Sequence, residues 1–257
     1  MDETKHHIRN IKVQHHECGP EGTLRLQSLL DHFQDIAQEH VAMAGVGVKA
    51  LADKGMMWVL SRIRIGCRQY VAGEDPLSLD TCSDGVSGVF VIRQFRLCLP
   101  DGTPCIWATS QWLVLDKAAM RPLRPDRILP EEMLVRNGDS LGFGDLGKIQ
   151  PRALCGDGIR YDVRHSNLDR NNHLNNAHYG SFISDVLADT HGGTLPQLRE
   201  LQINFCHQAL LGDRICVRAG NEQDGEIYVD GRSDDGKTLY FTATALVAEY
   251  GNPNDLC

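Results

Sequence analysis

The chain repeats itself, and the repeat limits what it can fold into. Adding 150 to the positions of Val13, His15, Leu24 and Asp35 gives Val163, His165, Leu174 and Asp185. The order of elements also recurs: strand, turn, then amphipathic helix. After Gly19-Pro20 and Gly22, the residues Leu26, Leu29, Leu30, Phe33, Ile36, Ala37, Val41 and Ala44 stand at helical spacing. After Asn175-Asn176, so do Tyr179, Phe182, Ile183, Val186 and Leu187, until His191-Gly192-Gly193 stops them. Later, Asp101-Gly102 with Ala108 matches Asp235-Gly236 with Thr242 at an offset of 134, a drift that unequal loops would give. Each helix has one apolar face that needs a cover. Segments 8–13, 57–70, 77–83, 90–99, 105–115 and 238–250 read as strands that supply it. The expected fold is α+β: two tandem copies of one unit, each a long helix wrapped by an antiparallel β-sheet. Proline and arginine crowd 121–130, and Asn137-Gly138, Gly142, Gly144 and Gly147 prolong the break, which marks a linker between the halves. The expected domains are therefore 1–135, ending in this linker, and 136–257.

The 257 residues suffice for a buried core, and 42% hydrophobic with 23% charged residues describes a globular protein. A net charge of −8 argues against general affinity for nucleic acid or an anionic membrane. Nine cysteines include no C-x-x-C pair, so neither a zinc framework nor a thioredoxin-type motif is signalled. Met1-Asp-Glu-Thr-Lys-His-His has no apolar run, and no run is long enough to span a bilayer. A reducing cytoplasm is the expected location, with most cysteines acting as small buried hydrophobes.

The copies differ in their polar residues. Under the 150 offset, Asp169, Asn171 and His173 face Gly19, Glu21 and Thr23, so one half alone carries a carboxylate, an amide and an imidazole together. In an extended segment their i, i+2, i+4 spacing would put all three on one face. Asn175 or Asn176 is a natural N-cap for the helix that follows. A polar turn and cap would also use these residue types. Beside a helix N-terminus, however, the trio suits chemistry in which an oxyanion develops. Cys206 with His207 makes a poor nucleophile and base, because strand neighbours point to opposite faces; Cys206 is expected in the core. His6-His7 and His15-His16 read as surface or strand histidines without metal-ligand spacing. Trp58, Trp107 and Trp112 read as core.

Leu168-Asp-Arg-Asn-Asn-His-Leu-Asn-Asn-Ala-His-Tyr179 resembles the L-D-x-N-x-H-V-N-N-x-x-Y signature of the acyl-[acyl-carrier-protein] thioesterases. Gly22-Thr-Leu-Arg-Leu-Gln-Ser-Leu-Leu with Phe33-Gln34, and Gly55-Met-Met-Trp-Val-Leu-Ser-Arg62, are similar to that family's first helix and following strand. The resemblance runs from about Ile11 to Val247. It implies two tandem hotdog domains, with an acyl-chain pocket in the first and catalysis in the second. It implies hydrolysis of the thioester between a fatty acyl group and the phosphopantetheine arm of acyl carrier protein, with no cofactor and no metal. By position, Asp169, Asn171 and His173 are the catalytic trio. The family's Glu-Cys pair lies in the strand after the catalytic helix, here Asn204-Phe-Cys-His-Gln208-Ala209, and falls on Gln208 and Ala209. That excludes a cysteine nucleophile there and leaves Gln208 able to position water but not to take a proton. His173 would be the general base. Asp169 would orient it or hold the water, and Asn171 would place the water or the carbonyl oxygen. Backbone N–H groups around 175–177 would complete an oxyanion hole, with Asn175, Asn176 and Trp58 on the substrate. An acidic chain that meets an acidic carrier needs a local basic patch. Arg121, Arg124, Arg127 and Arg136 are the favoured group, and Arg62, Arg64 and Arg68, which alternate with Ile63, Ile65 and Cys67 and so share one strand face, are the other; a solvated face with no partner is the commoner fate of such arginines. A monomer and a homodimer are both compatible. An acyl-coenzyme A thioesterase and a non-hydrolytic acyl-thioester sensor are the alternative functions.

Overall fold

A computed structural model of the chain describes residues 6–136 and 142–248. Internal contacts divide these into two compact units, 6–24 with 31–146 and 25–30 with 147–248.

In chain order the first unit contains β1 (His6–Lys12), α1 (Leu26–Met43), α2 (Val48–Ala52), β2 (Met56–Cys67), β3 (Pro76–Ser87), β4 (Phe90–Cys98), β5 (Pro104–Asp116) and the short β6 (Arg121–Pro122). All strand pairs are antiparallel, in the order β1-β3-β4-β5-β2, with β6 on β5. The predicted helical stripe is the buried one: Phe33, Ile36, Ala37 and Val41 are all covered. Phe33 stacks on Phe95 of β4 with ring centroids 4.6 Å apart. The proline-rich segment does more than link. It forms 3-10 turns at Pro125–Arg127 and Glu131–Met133, and Leu129 and Met133 join Val41, Val46, Leu51, Val91 and Val114 in one cluster. The alternation in β2 is real, but its arginine face is only partly solvated. Arg62 donates to Gln111 (3.1 Å) and to the Leu146 carbonyl (2.6 Å), and Arg64 lies over the Phe143 ring at 4.4 Å. Residues 143–146 thus cover that face.

The second unit contains β7 (Ile159–Asp162), α3 (Asn176–Thr190), β8 (Leu198–Phe205), β9 (Arg214–Ala219), β10 (Glu226–Ser233) and β11 (Leu239–Val247). Its antiparallel order is β7-β9-β10-β11-β8, the order of the first unit strand for strand. Tyr179 of α3 meets Phe182, Phe205 and Phe241 edge-on, with centroids 5.1–6.0 Å away. Each unit is a helix packed on an antiparallel sheet, which is the hotdog arrangement. Asn137-Gly138 and the last two residues of the 238–250 strand lie outside the described residues. Among the described residues, no helix is long and apolar enough to cross a membrane.

The repeat holds down to single hydrogen bonds. Gly19 N–H donates to the Thr23 carbonyl (2.8 Å), and Asp169 N–H donates to the His173 carbonyl (2.7 Å). Gly22 N–H reaches the Gly19 carbonyl (3.0 Å), and Asn172 N–H the Asp169 carbonyl (3.1 Å). Bridges Cys18–Leu24 and Leu168–Leu174 close the two turns. At the second offset, Asp101 accepts from Thr103 N–H and Asp235 from Lys237 N–H, with Gly102 and Gly236 both at positive φ.

One difference between the turns is physical. Gly22 sits at φ +75°, where glycine meets no steric penalty; its counterpart Asn172 sits at φ +61° and carries a side chain. In that copy Asp169 Oδ1 accepts two further N–H groups, from Asn171 (2.8 Å) and His173 (3.1 Å). The carboxylate holds the turn where glycine is lacking.

Two outcomes follow. Phe33→Ala should lower unfolding stability by about 3–5 kcal/mol in urea titration, the usual cost of emptying an aromatic core site. Asp169→Ala should speed amide exchange at Asn171 and His173 roughly fivefold, since each net hydrogen bond contributes about 1 kcal/mol, and Asn172→Gly in that background should restore part of the protection. Unchanged exchange in Asp169→Ala would show that the carboxylate does not hold the turn.

Candidate active site

The trio does not lie on an extended face. Residues 168–174 form a tight turn between two bridged leucines, so Asp169, Asn171 and His173 come together by curvature rather than by strand alternation. The positive φ at Asn172 bends the chain between the second and third of them. Asp169 spends Oδ1 on backbone N–H groups, and its Oδ2 lies 3.4 Å from the Asn171 amide nitrogen. Its observed role is to shape the segment that carries the other two. Asn171 is exposed and His173 half-buried. Among the described residues none hydrogen-bonds the His173 imidazole.

A second loop is pinned against this turn. His173 bridges Leu210, and Leu174 N–H donates to the Ala209 carbonyl (2.8 Å). Gln208, exposed, stands next to this pairing, while Ala209 is fully buried. The expected strand through Gln208 stops at Phe205. Cys206 and His207 both turn their N–H groups to one acceptor, the Tyr240 carbonyl (2.8 and 3.1 Å), which a regular ladder does not allow. Past that point the chain is loop, and Cys206 is exposed rather than packed in the core. Cys18, Cys82, Cys105 and Cys216 are buried; burial pushes the Cys82 and Cys105 thiols up to about 11, so they are poor nucleophiles.

Two residues that support this loop were not singled out in the sequence. Asp213 accepts the Leu210 N–H at 2.8 Å and also takes the Tyr240 hydroxyl. Burial, reinforced by the Asp213 charge, pushes the Tyr240 phenol up to about 12, so it stays a donor. The signal was present in Leu210-Leu-Gly-Asp213, a turn sequence with glycine at φ +88° and an aspartate to close it.

The helix start is partly occupied. Asn175 is the N-cap of α3: its side chain accepts from Ala177 N–H (3.0 Å), and its own N–H donates to the Asn167 carbonyl (2.9 Å). Of the three amides at 175–177, Asn176 N–H alone has no acceptor among the described residues, and it opens the helix where partial positive charge concentrates. Among the described residues no three His, Cys, Asp or Glu side chains are grouped to hold a metal ion.

Trp58 belongs to the first unit. It lines a pocket, partly open to solvent, with Ala37, Val41, Val91, Trp112 and Met133, and its indole N–H donates to the Val46 carbonyl (2.9 Å). Arg124 and Arg136 of the favoured basic group are paired, with Asp126 at 3.0 Å and Asp145 at 3.7 Å; Arg121 and Arg127 are exposed.

Solved structures share this architecture. An acyl-ACP thioesterase from Bacteroides thetaiotaomicron superposes with a TM-score of 0.78 at 18% identity, covering 96% of this chain and 100% of that one. A 12:0-ACP thioesterase from Umbellularia californica gives 0.74 at 14% identity, covering 93% and 92%. Among sequences, a chloroplastic palmitoyl-acyl carrier protein thioesterase from Arabidopsis thaliana is 26% identical over 190 residues, 68% of this chain and 45% of that protein. The chain spans about half the length of the curated relatives it matches. The acyl-ACP thioesterase N-terminal domain model matches residues 4–133, and the C-terminal domain model matches residues 157–241. With both domain models matched in order over most of its length, the chain belongs to the acyl-ACP thioesterase family.

Proposed function

We propose that the chain hydrolyses the thioester of a fatty acyl group carried on the phosphopantetheine arm of acyl carrier protein, releasing free fatty acid and ending chain elongation. The observation that carries this reading is the turn of residues 168–174, which sets His173 against the 208–210 loop beside the start of α3. His173 takes a proton from water as the oxygen bonds to the thioester carbon. The carbonyl oxygen becomes an oxyanion, for which Asn176 N–H and the Asn171 amide are the available donors. The C–S bond then breaks, and the imidazolium returns the proton to the departing thiolate. Gln208 places the water; Asp169 acts by holding Asn171 and His173 in the turn, and Asn175 by capping the helix. The pocket beside Trp58 takes the acyl chain.

Family membership supports acyl carrier protein as partner. Arg121 and Arg127, exposed at the end of the first unit, suit its acidic surface. The eight described cysteines are all free, which fits a cytoplasmic location. A monomer or a homodimer would serve.

The test is thiol release from acyl-carrier-protein substrates of graded chain length, with the matching coenzyme A esters alongside. Length-selective release from the carrier substrates is expected. Release from the coenzyme A esters alone would change the partner, and tight binding without release would make the chain a sensor. His173→Ala should lower kcat by about 10²–10⁴, the range for a lost general base. Gln208→Ala should lower kcat roughly tenfold with KM unchanged, as expected when an interaction made only in the transition state is removed. Full activity in Gln208→Ala would show that Gln208 does not place the water.

A further inference from the structure

The cavity beside Trp58 is not wholly apolar. Arg93, on β4, also lines it and is only 3% exposed. Its Nη1 donates to His40 Nδ1 (3.0 Å) and to Thr81 Oγ1 (3.1 Å). Because arginine only donates, His40 Nδ1 must hold a lone pair, so both partners are neutral acceptors. Both bonds leave one nitrogen. The N–H groups of Nε and Nη2 have no acceptor among the described residues, and no described carboxylate forms an ion pair with the guanidinium. Burial lowers Arg93 to about 10, with the Cys82 thiol as the opposing influence, so it remains a cation at neutral pH.

A buried cation with spare donors is costly to leave against hydrocarbon. An unsubstituted alkyl chain that filled this cavity would strip water from those N–H groups and return nothing. An oxygen on the chain would accept from them, and hydrogen bonds to a charged donor are the stronger kind. We propose that the cavity selects acyl chains that carry an acceptor oxygen in their distal half, as a keto, hydroxyl or carboxylate group, and that Arg93 is the specificity-determining residue. This rests on the reading that the cavity takes the acyl chain. Gln38, the other polar residue of the lining, can assist as a second donor.

The probes are non-hydrolysable pantetheine thioethers: S-decyl pantetheine, and the same chain with a keto group at the seventh, eighth or ninth carbon, a terminal hydroxyl, or a terminal carboxylate. Calorimetric titration of the wild-type protein should find at least one oxygenated probe bound about tenfold more tightly than S-decyl, a comparison that needs no variant. Arg93→Met should abolish or invert that ratio, and Arg93→Lys should keep part of it. The proposal is overturned if S-decyl binds the wild type as tightly as every oxygenated probe, if no probe binds, or if Arg93→Met weakens all of them equally. Thioester hydrolysis without oxygen selectivity would sink this inference and leave the function standing. Oxygen-selective binding without hydrolysis would do the reverse.

Discussion

In each unit, burial of one helix face on one antiparallel sheet determines where the polar turn must lie. The turn is the last part of the chain before the helix, and its closing leucine, Leu24 or Leu174, is buried with the core. That leucine donates its N–H to the neighbouring loop, to Val71 in one unit and Ala209 in the other. Apolar packing therefore fixes the polar residues as well. His173 is held in place because the residue after it cannot leave the core, and because its own backbone pairs with Leu210. The site needs few side-chain contacts of its own, since its geometry is inherited from the packing underneath.

Much of this was legible in the sequence. Helices α1 and α3 are written in apolar spacing, the strands in alternation, and the duplication in matched positions. The failures share a cause: they were read from residue type along an assumed straight path. Asp169, Asn171 and His173 share a face only if the segment is extended, and Asn172 at positive φ bends it. Gln208 was placed in a strand that ends early because two N–H groups share the Tyr240 carbonyl. Arg62 and Arg64 alternate as expected, yet residues 143–146 cover them, and no local pattern announces a segment that returns from some eighty residues away. The proline-rich stretch was legible as a break but not as a contributor of Leu129 and Met133 to the core.

The charged groups show a similar economy. Exposed arginines such as Arg124 and Arg214 find carboxylates at their doorstep, and such pairs are worth little. Arg93 is the reverse case, a cation deep in the first unit with only neutral acceptors in reach. A group of that kind costs stability, which the apolar burial around it must offset.

The silent turn of the first unit has a consequence for how such a chain can change over generations. Gly19, Glu21 and Thr23 adopt the shape of the second turn with none of its trio, so the shape does not depend on those side chains. Under the proposed function, mutations in the first turn are judged only on whether its shape survives, while the second turn also answers to the demands of bond breaking. If the proposed function holds, one half can drift toward new cargo while the other keeps the reaction constant, an independence that a single copy serving both needs would lack.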